Sequence, residues 1–291
     1  MVLIFFILAS GLVNSAIGVG KVRHIADEDI KAFTEELLTK DQNNAGKLVT
    51  MNLQGKSPYG STKDEAPNDL IKMDKSVLEI PTIKKILPLY DNYDADANHD
   101  EVVTPEERKE ELAFLDAVLS TPSMQLTKKF LQDKLLVPKT DEAFKNFMKD
   151  MWFTVFSRGN KKKGSSAFEH IFLGEMKKGE VSGLHNWLFF QHQEKKKAIN
   201  YIGWVKNMEF SGKRGGVLKV RYTWNNVNKP AGTMFYGTSP EFEMAIYTVC
   251  FVTRKNDKCN IVLSGKPLQV LTYAFDVDGK SVISSAYPNL V

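Results

Sequence analysis

The chain changes periodicity near residue 158, and that switch limits its fold more than any other feature. Before it, apolar residues recur at helical spacing: Ile30, Phe33, Leu37 and Leu38 in 27–41, then a run through Leu112, Phe114, Leu115 and Val118. Thr104-Pro105 opens that second helix as cap and first turn, and Pro122 is expected to end it. Segments 123–136 and 141–157 continue the pattern, with Asp141 as the expected cap of the latter. After a basic, glycine-bounded loop (158–164) come short strand-like runs at 200–210, 217–224, 231–236, 260–263, 268–276 and 281–286, punctuated by turn signals such as Asp278-Gly279. Helices are expected over 182–197 and 239–252. The pattern predicts an α+β fold: an N-terminal helical region (22–157), then antiparallel sheets with packed helices (158–291).

Residues 2–13 form an apolar run too short to span a bilayer, followed by Asn14-Ser15-Ala16. This reads as a signal peptide over 1–16, although no Lys or Arg precedes it, and implies a secreted protein with no membrane attachment after cleavage; a membrane anchor is the other reading. Two cysteines, Cys250 and Cys259, can pair on such a route; the alternative is two separate thiols. Apolar residues make up 43% of the chain and charged residues 25%, ordinary for a folded domain, and a net charge of +4 suits a polyanionic partner without requiring one.

Chemistry concentrates in Phe168–Trp187, FEHIFLGEMKKGEVSGLHNW. His170 and His185 stand among apolar residues, with Glu169 and Glu175 flanking the first. Ser166-x-x-Glu169 can be a capping box, which would make Glu169 structural, with the chain then turning into a strand through Ile171–Leu173. Ser182 is a good helix cap; His185 would then lie in the first helical turn, where the helix dipole disfavours imidazolium. Lys229 follows in a Lys-Pro step, then Thr238-Ser239-Pro240-Glu241-Phe242-Glu243, where Ser239 caps a helix.

These motifs, in this order, resemble the EndoU family, the poly(U)-specific endoribonucleases related to the uridylate-specific enzyme of coronaviruses. The resemblance spans about 22–291, taken as one domain. It implies an endoribonuclease that cuts single-stranded RNA at uridylates by 2′-OH attack, leaving a 2′,3′-cyclic phosphate and a 5′-OH. His185 would be the general base, His170 the general acid and Lys229 the cation facing the phosphate, with Glu169 and Glu175 in support. Thr238, Ser239 and Tyr287 would form the uracil pocket; packing on the core is the other reading of Tyr287. The resemblance also implies Mn²⁺, although no metal site is readable. A monomer acting on RNA and not DNA is expected; an RNA-binding protein of the same fold without turnover is the alternative. Three basic tracts, Lys161–Lys163, Lys177-Lys178 and Lys195–Lys197, can guide an RNA backbone or simply be solvated faces. The acidic run 94–101 resembles the start of an EF-hand loop, but His99 replaces the glycine and Pro105 the final glutamate.

Overall fold

The computed structural model describes residues 25–58, 61, 63–158 and 161–290, so the expected signal peptide at 1–16 lies outside the described residues. Helix α1 (Asp27–Lys40) leads to a small hairpin of β1 (Val49–Met51) and β2 (Ile71–Met73), then to α2 (Pro81–Ile86), α3 (Pro105–Leu119), α4 (Pro122–Asp133) and α5 (Asp141–Phe153). Thr104 and Glu107 close a capping box on α3. Pro122 does not stop a helix; it is the first residue of α4, behind the cap Thr121. Likewise α5 is capped by Thr140, whose hydroxyl accepts from Ala143 N, so Asp141 is the first helical residue and not the cap.

The second part begins with two short hairpins. β3 (Phe156–Ser157) pairs with β4 (Lys163–Ser165), and β5 (Glu175–Lys177) with β6 (Glu180–Ser182). Between them Glu169–Leu173 forms a π-helical turn, where a strand was expected. α6 (Trp187–Lys195) precedes an antiparallel meander of β7 (Ile199–Glu209), β8 (Gly216–Trp224) and β9 (Val227–Tyr236). α7 (Pro240–Thr253) then precedes a second meander, β10 (Lys258–Leu263), β11 (Lys266–Val277) and β12 (Lys280–Asn289). The α+β expectation therefore holds. Its second part is a helix and a three-stranded sheet, given twice, with β9 and β12 meeting where the two sheets touch.

α7 is apolar on every side because every residue from Pro240 to Phe251 is buried. Its two acidic residues, Glu241 and Glu243, sit in the first turn, where free amides favour negative charge. At its far end Cys250 is bonded to Cys259 on β10, as expected for the paired reading.

Candidate active site

The two histidines are brought together by backbone, and glycine makes that possible. Gly183 has φ +67°, and a Cβ there would lie 1.9 Å from the His170 carbonyl oxygen. Only a residue without a side chain lets segment 183–185 lie against the π-helical turn. That carbonyl accepts from Leu184 N at 3.0 Å, and Ile171 O accepts from His185 N at 2.7 Å. Leu184 itself has φ 61°, a conformation that branched residues avoid. The imidazoles end 6.3 Å apart, centroid to centroid.

His185 is not in a helix. α6 begins two residues later, capped by Asn186, whose side chain accepts from Leu188 N and Phe189 N, while Ser182 lies in β6. The expected dipole effect is therefore replaced by another cause. Burial, then the charges of Lys229 and His170, hold His185 well below the ordinary histidine pKa. Its Nδ1 lies 2.8 Å from Thr233 O on β9. A carbonyl can only accept, so Nδ1 carries the proton and Nε2 has the free lone pair. Tyr287, half-buried on β12, stacks on the His185 ring at 4.9 Å and 24°. Behind it, at 6.3 Å, stands the exposed Tyr273.

His170 is held from both sides. Nε2 is 3.1 Å from Ser285 Oγ on β12, and Nδ1 is 3.2 Å from Glu175 Oε2. Neither of these two facing atoms has a hydrogen-bond partner, and the contact is an ion pair when His170 is protonated. Burial, then the Arg158 cation, lowers the His170 pKa, while Glu175 opposes the shift. Burial alone would raise Glu175; His170, Arg158 and Ser165 outweigh it and keep its carboxylate ionised.

Arg158, which sequence reasoning passed over as part of a basic loop, organises this side of the cleft. Its Nε is 2.6 Å from Glu175 Oε1, and it donates through Nη1 to Ser284 O (2.8 Å) and through Nη2 to Ser166 O (3.0 Å). One guanidinium thus ties the carboxylate beside His170, the start of the His170 turn and the strand carrying Ser285. Ser165 Oγ also donates to Glu175. No spacing rule links these residues, and nothing in the sequence sets Arg158 apart from the lysines of its loop.

Lys229, on β9, donates to Val181 O on the β5–β6 hairpin at 2.8 Å. Burial lowers its pKa to about 8, against the pull of Glu180 and Glu175. Its charge lowers the pKa of both imidazoles, and its strand β9 also carries Thr233, the partner of His185.

The other expected site residues lie elsewhere or serve the frame. Glu169 closes the capping box: Ser166 N donates to its carboxylate at 2.5 Å, and Glu169 N to Ser166 Oγ at 3.2 Å. Burial raises its pKa to about 8. Thr238 and Ser239 have no exposed surface. Thr238 Oγ1 donates to Glu243, and its carbonyl accepts from Trp187 Nε1. Ser239 Oγ caps α7 at Phe242 N, and its N–H points to Asp41 at 3.4 Å. Of the residues expected to form a uracil pocket, Tyr287 lies against His185, whereas Thr238 and Ser239 are buried with their polar groups bonded within the fold.

The manganese expectation finds no fitting donors. Among the described residues no group of three or more His, Cys, Asp or Glu is arranged to hold a metal ion. Glu175 is taken by Arg158 and His170, and Glu169 by its cap. In the acidic loop, Asp94 holds His99 at 2.6 Å, and Asp100 holds Lys162 and Lys163 N.

Two imidazoles 6.3 Å apart, one with its tautomer fixed by a carbonyl and the other beside a carboxylate, are thus gathered with Tyr287 and the Lys229 strand where the two sheets meet. The family model described as Endoribonuclease XendoU matches residues 29–288, and the chain belongs to this endoribonuclease family. It is 36% identical over 266 residues to the uridylate-specific endoribonuclease EndoU of Drosophila melanogaster, covering 90% of this chain and 83% of that one. It is 33% identical over 273 residues to the uridylate-specific endoribonuclease B of Danio rerio, covering 90% and 96%. The human uridylate-specific endoribonuclease is 34% identical over 272 residues, which are 90% of this chain but 66% of that longer one. The solved structure of XendoU, described as a splicing-independent snoRNA-processing endoribonuclease, superposes with a TM-score of 0.73 at 33% identity, covering 90% and 97%.

Proposed function

We propose that this endoribonuclease cleaves single-stranded RNA at uridylates, with His185 as base, His170 as acid and Lys229 as counter-charge. The observation that carries the reading is the pair of imidazoles 6.3 Å apart, one with its Nε2 left free and the other beside a carboxylate. With Nδ1 protonated on Thr233 O, His185 presents Nε2 to take the 2′-OH proton. The freed 2′-oxygen attacks the phosphorus, and the bond to the 5′-oxygen breaks. His170, held at Nδ1 by Glu175, gives its Nε2 proton to that leaving oxygen. Lys229 turns from Val181 O to the phosphate oxygens, where charge grows. The products are a 2′,3′-cyclic phosphate and a 5′-OH.

Uridylate choice rests on relatives named for it and on Tyr287, whose ring stands against His185 where a nucleoside can stack. Secretion rests on the apolar N-terminal run and agrees with a disulfide, which an oxidising compartment allows to form.

The test is a labelled oligonucleotide containing one uridine, incubated with manganese or with EDTA. His170→Ala and His185→Ala should each lower the rate by about 10²–10⁴-fold with RNA binding kept. Near-normal turnover in either variant overturns the assignment, and binding without cleavage by the unaltered protein points to the non-enzymatic alternative.

A further inference from the structure

A second basic concavity lies at the far end of α6, and the cleavage chemistry makes no use of it. Lys195 ends that helix and Lys197 follows it, and Lys72 on β2 faces them across a cavity of about 690 Å³ that Asn52, Asn68 and Asp69 also line. Lysines more than a hundred positions apart in sequence are thus gathered into one hollow. Lys197 pairs with Asp69 at 2.9 Å, while Lys72 and Lys195 have no ion-pair partner among the described residues. Three lysines against the one lining carboxylate, Asp69, leave the hollow's lining with a net positive charge that suits an anionic ligand.

The hollow is preformed. Glu194, buried at the end of α6, accepts from Leu70 N at 2.6 Å and from Ile71 N at 3.0 Å, locking the helix to β2. The 67–70 loop is latched further by Asn52 Nδ2 on Asp69 O and by Gln54 Oε1, which accepts from Asn68 N. The tract Lys161–Lys163 is different: Lys162 is neutralised by Asp100 at 2.8 Å.

We propose that this hollow is a second RNA-contacting site, holding phosphodiesters of the substrate strand away from the scissile bond. The proposal rests on the endoribonuclease reading. α6 starts directly after His185-Asn186 and is nine residues long, so the hollow stands about 14 Å along the helix from the cleavage centre. A dinucleotide at the histidines does not reach it, but a longer strand does. The lysines then add affinity for length without touching the chemistry.

The test compares the unaltered protein with Lys72→Gln/Lys195→Gln on a uridine dinucleotide and on a long single-uridine oligonucleotide. The variant should keep kcat/KM on the dinucleotide and show a raised KM on the long substrate. Binding of a non-cleavable single-stranded DNA of equal length, read by anisotropy, should weaken, and its log–log salt slope should become shallower by about 0.7 per lysine removed. The melting temperature should hold or rise, since repulsion is relieved. An unchanged KM and salt slope on the long strands overturns the proposal, as does an equal loss on the dinucleotide. Displacement by an acidic peptide but not by DNA also overturns it, in favour of a protein partner. If the unaltered protein cleaves neither substrate, the nuclease reading fails, while the anisotropy arm still judges the hollow.

Discussion

Glu175→Gln should move the pH profile before it changes anything else. Cleavage needs His170 protonated and His185 neutral, so the rate falls as pH rises through the His170 pKa. Burial and Arg158 pull that pKa below the ordinary value, about 6.5 for histidine, and Glu175 at 3.2 Å is the group that opposes them. The alkaline limb of kcat/KM for the unaltered enzyme should therefore lie below about pH 6.5. Removing an opposite charge at this separation shifts a pKa by about 1–3 units, here downward, because the imidazolium loses its partner. Each unit on the alkaline side is tenfold in protonated acid, so the rate at pH 7 should fall by about 10- to 10³-fold and recover toward acid pH. Arg158→Gln has the opposite sign: it removes the cation that depresses His170, so the limb should move up. Measuring kcat/KM on a uridine dinucleotide from acid to alkaline pH checks both. A uniform loss in Glu175→Gln with the limb unmoved would refute the argument, because Glu175 would then be packing alone. Thermal melts alongside separate this from the cost of leaving the Arg158 charge buried without its carboxylate, about 3–5 kcal/mol.

Other substitutions test how the site is built. Ser239→Ala should lower stability by about 1 kcal/mol, the usual worth of an N-cap, seen in denaturant melts, and should leave the uridine-to-cytidine rate ratio unchanged because the hydroxyl is spent on Phe242 N. A narrowed ratio would return Ser239 to the base pocket. Gly183→Ala should cost more than about 1 kcal/mol and lose activity, because a Cβ at φ +67° would meet the His170 carbonyl; a stable, active variant would show that the two segments can separate. Reducing Cys250–Cys259 should destabilise the fold by about 2–3 kcal/mol, as expected for closing so short a loop, measured by melting with and without reductant.

Much of the frame was legible because it follows local rules. Helical spacing placed α1 and α3, and Asp278-Gly279 placed the β11–β12 turn. Two helix starts are settled by capping alone, since Thr121 and Thr140 are the caps and Pro122 and Asp141 follow them. Elsewhere two local signals compete and a tertiary contact decides. Ser182 and Asn186 are both good caps; pairing of β5 with β6 claims Ser182, and Asn186 takes the helix with help from Glu243, which accepts from its Nδ2. Ile171–Leu173 has strand-like residues but coils into a π-helical turn, in which the carbonyls of His170 and Ile171 accept from Leu184 N and His185 N.

The same reasoning explains which part of the chemistry could be read ahead. His170, His185 and Lys229 were nameable as types suited to proton transfer and charge. Their proton affinities were not, since these depend on burial and on neighbours brought from β3, β5, β9 and β12. His185 does favour the neutral form, as the dipole argument predicted, but for a different physical reason. That difference has consequences. A dipole effect would survive the loss of Lys229, whereas desolvation reinforced by a nearby cation would not survive it fully. Lys229→Met should therefore raise the His185 pKa, visible in the imidazole NMR titration, beyond its direct cost to phosphate stabilisation. An unmoved His185 titration would mean that burial alone keeps the base neutral.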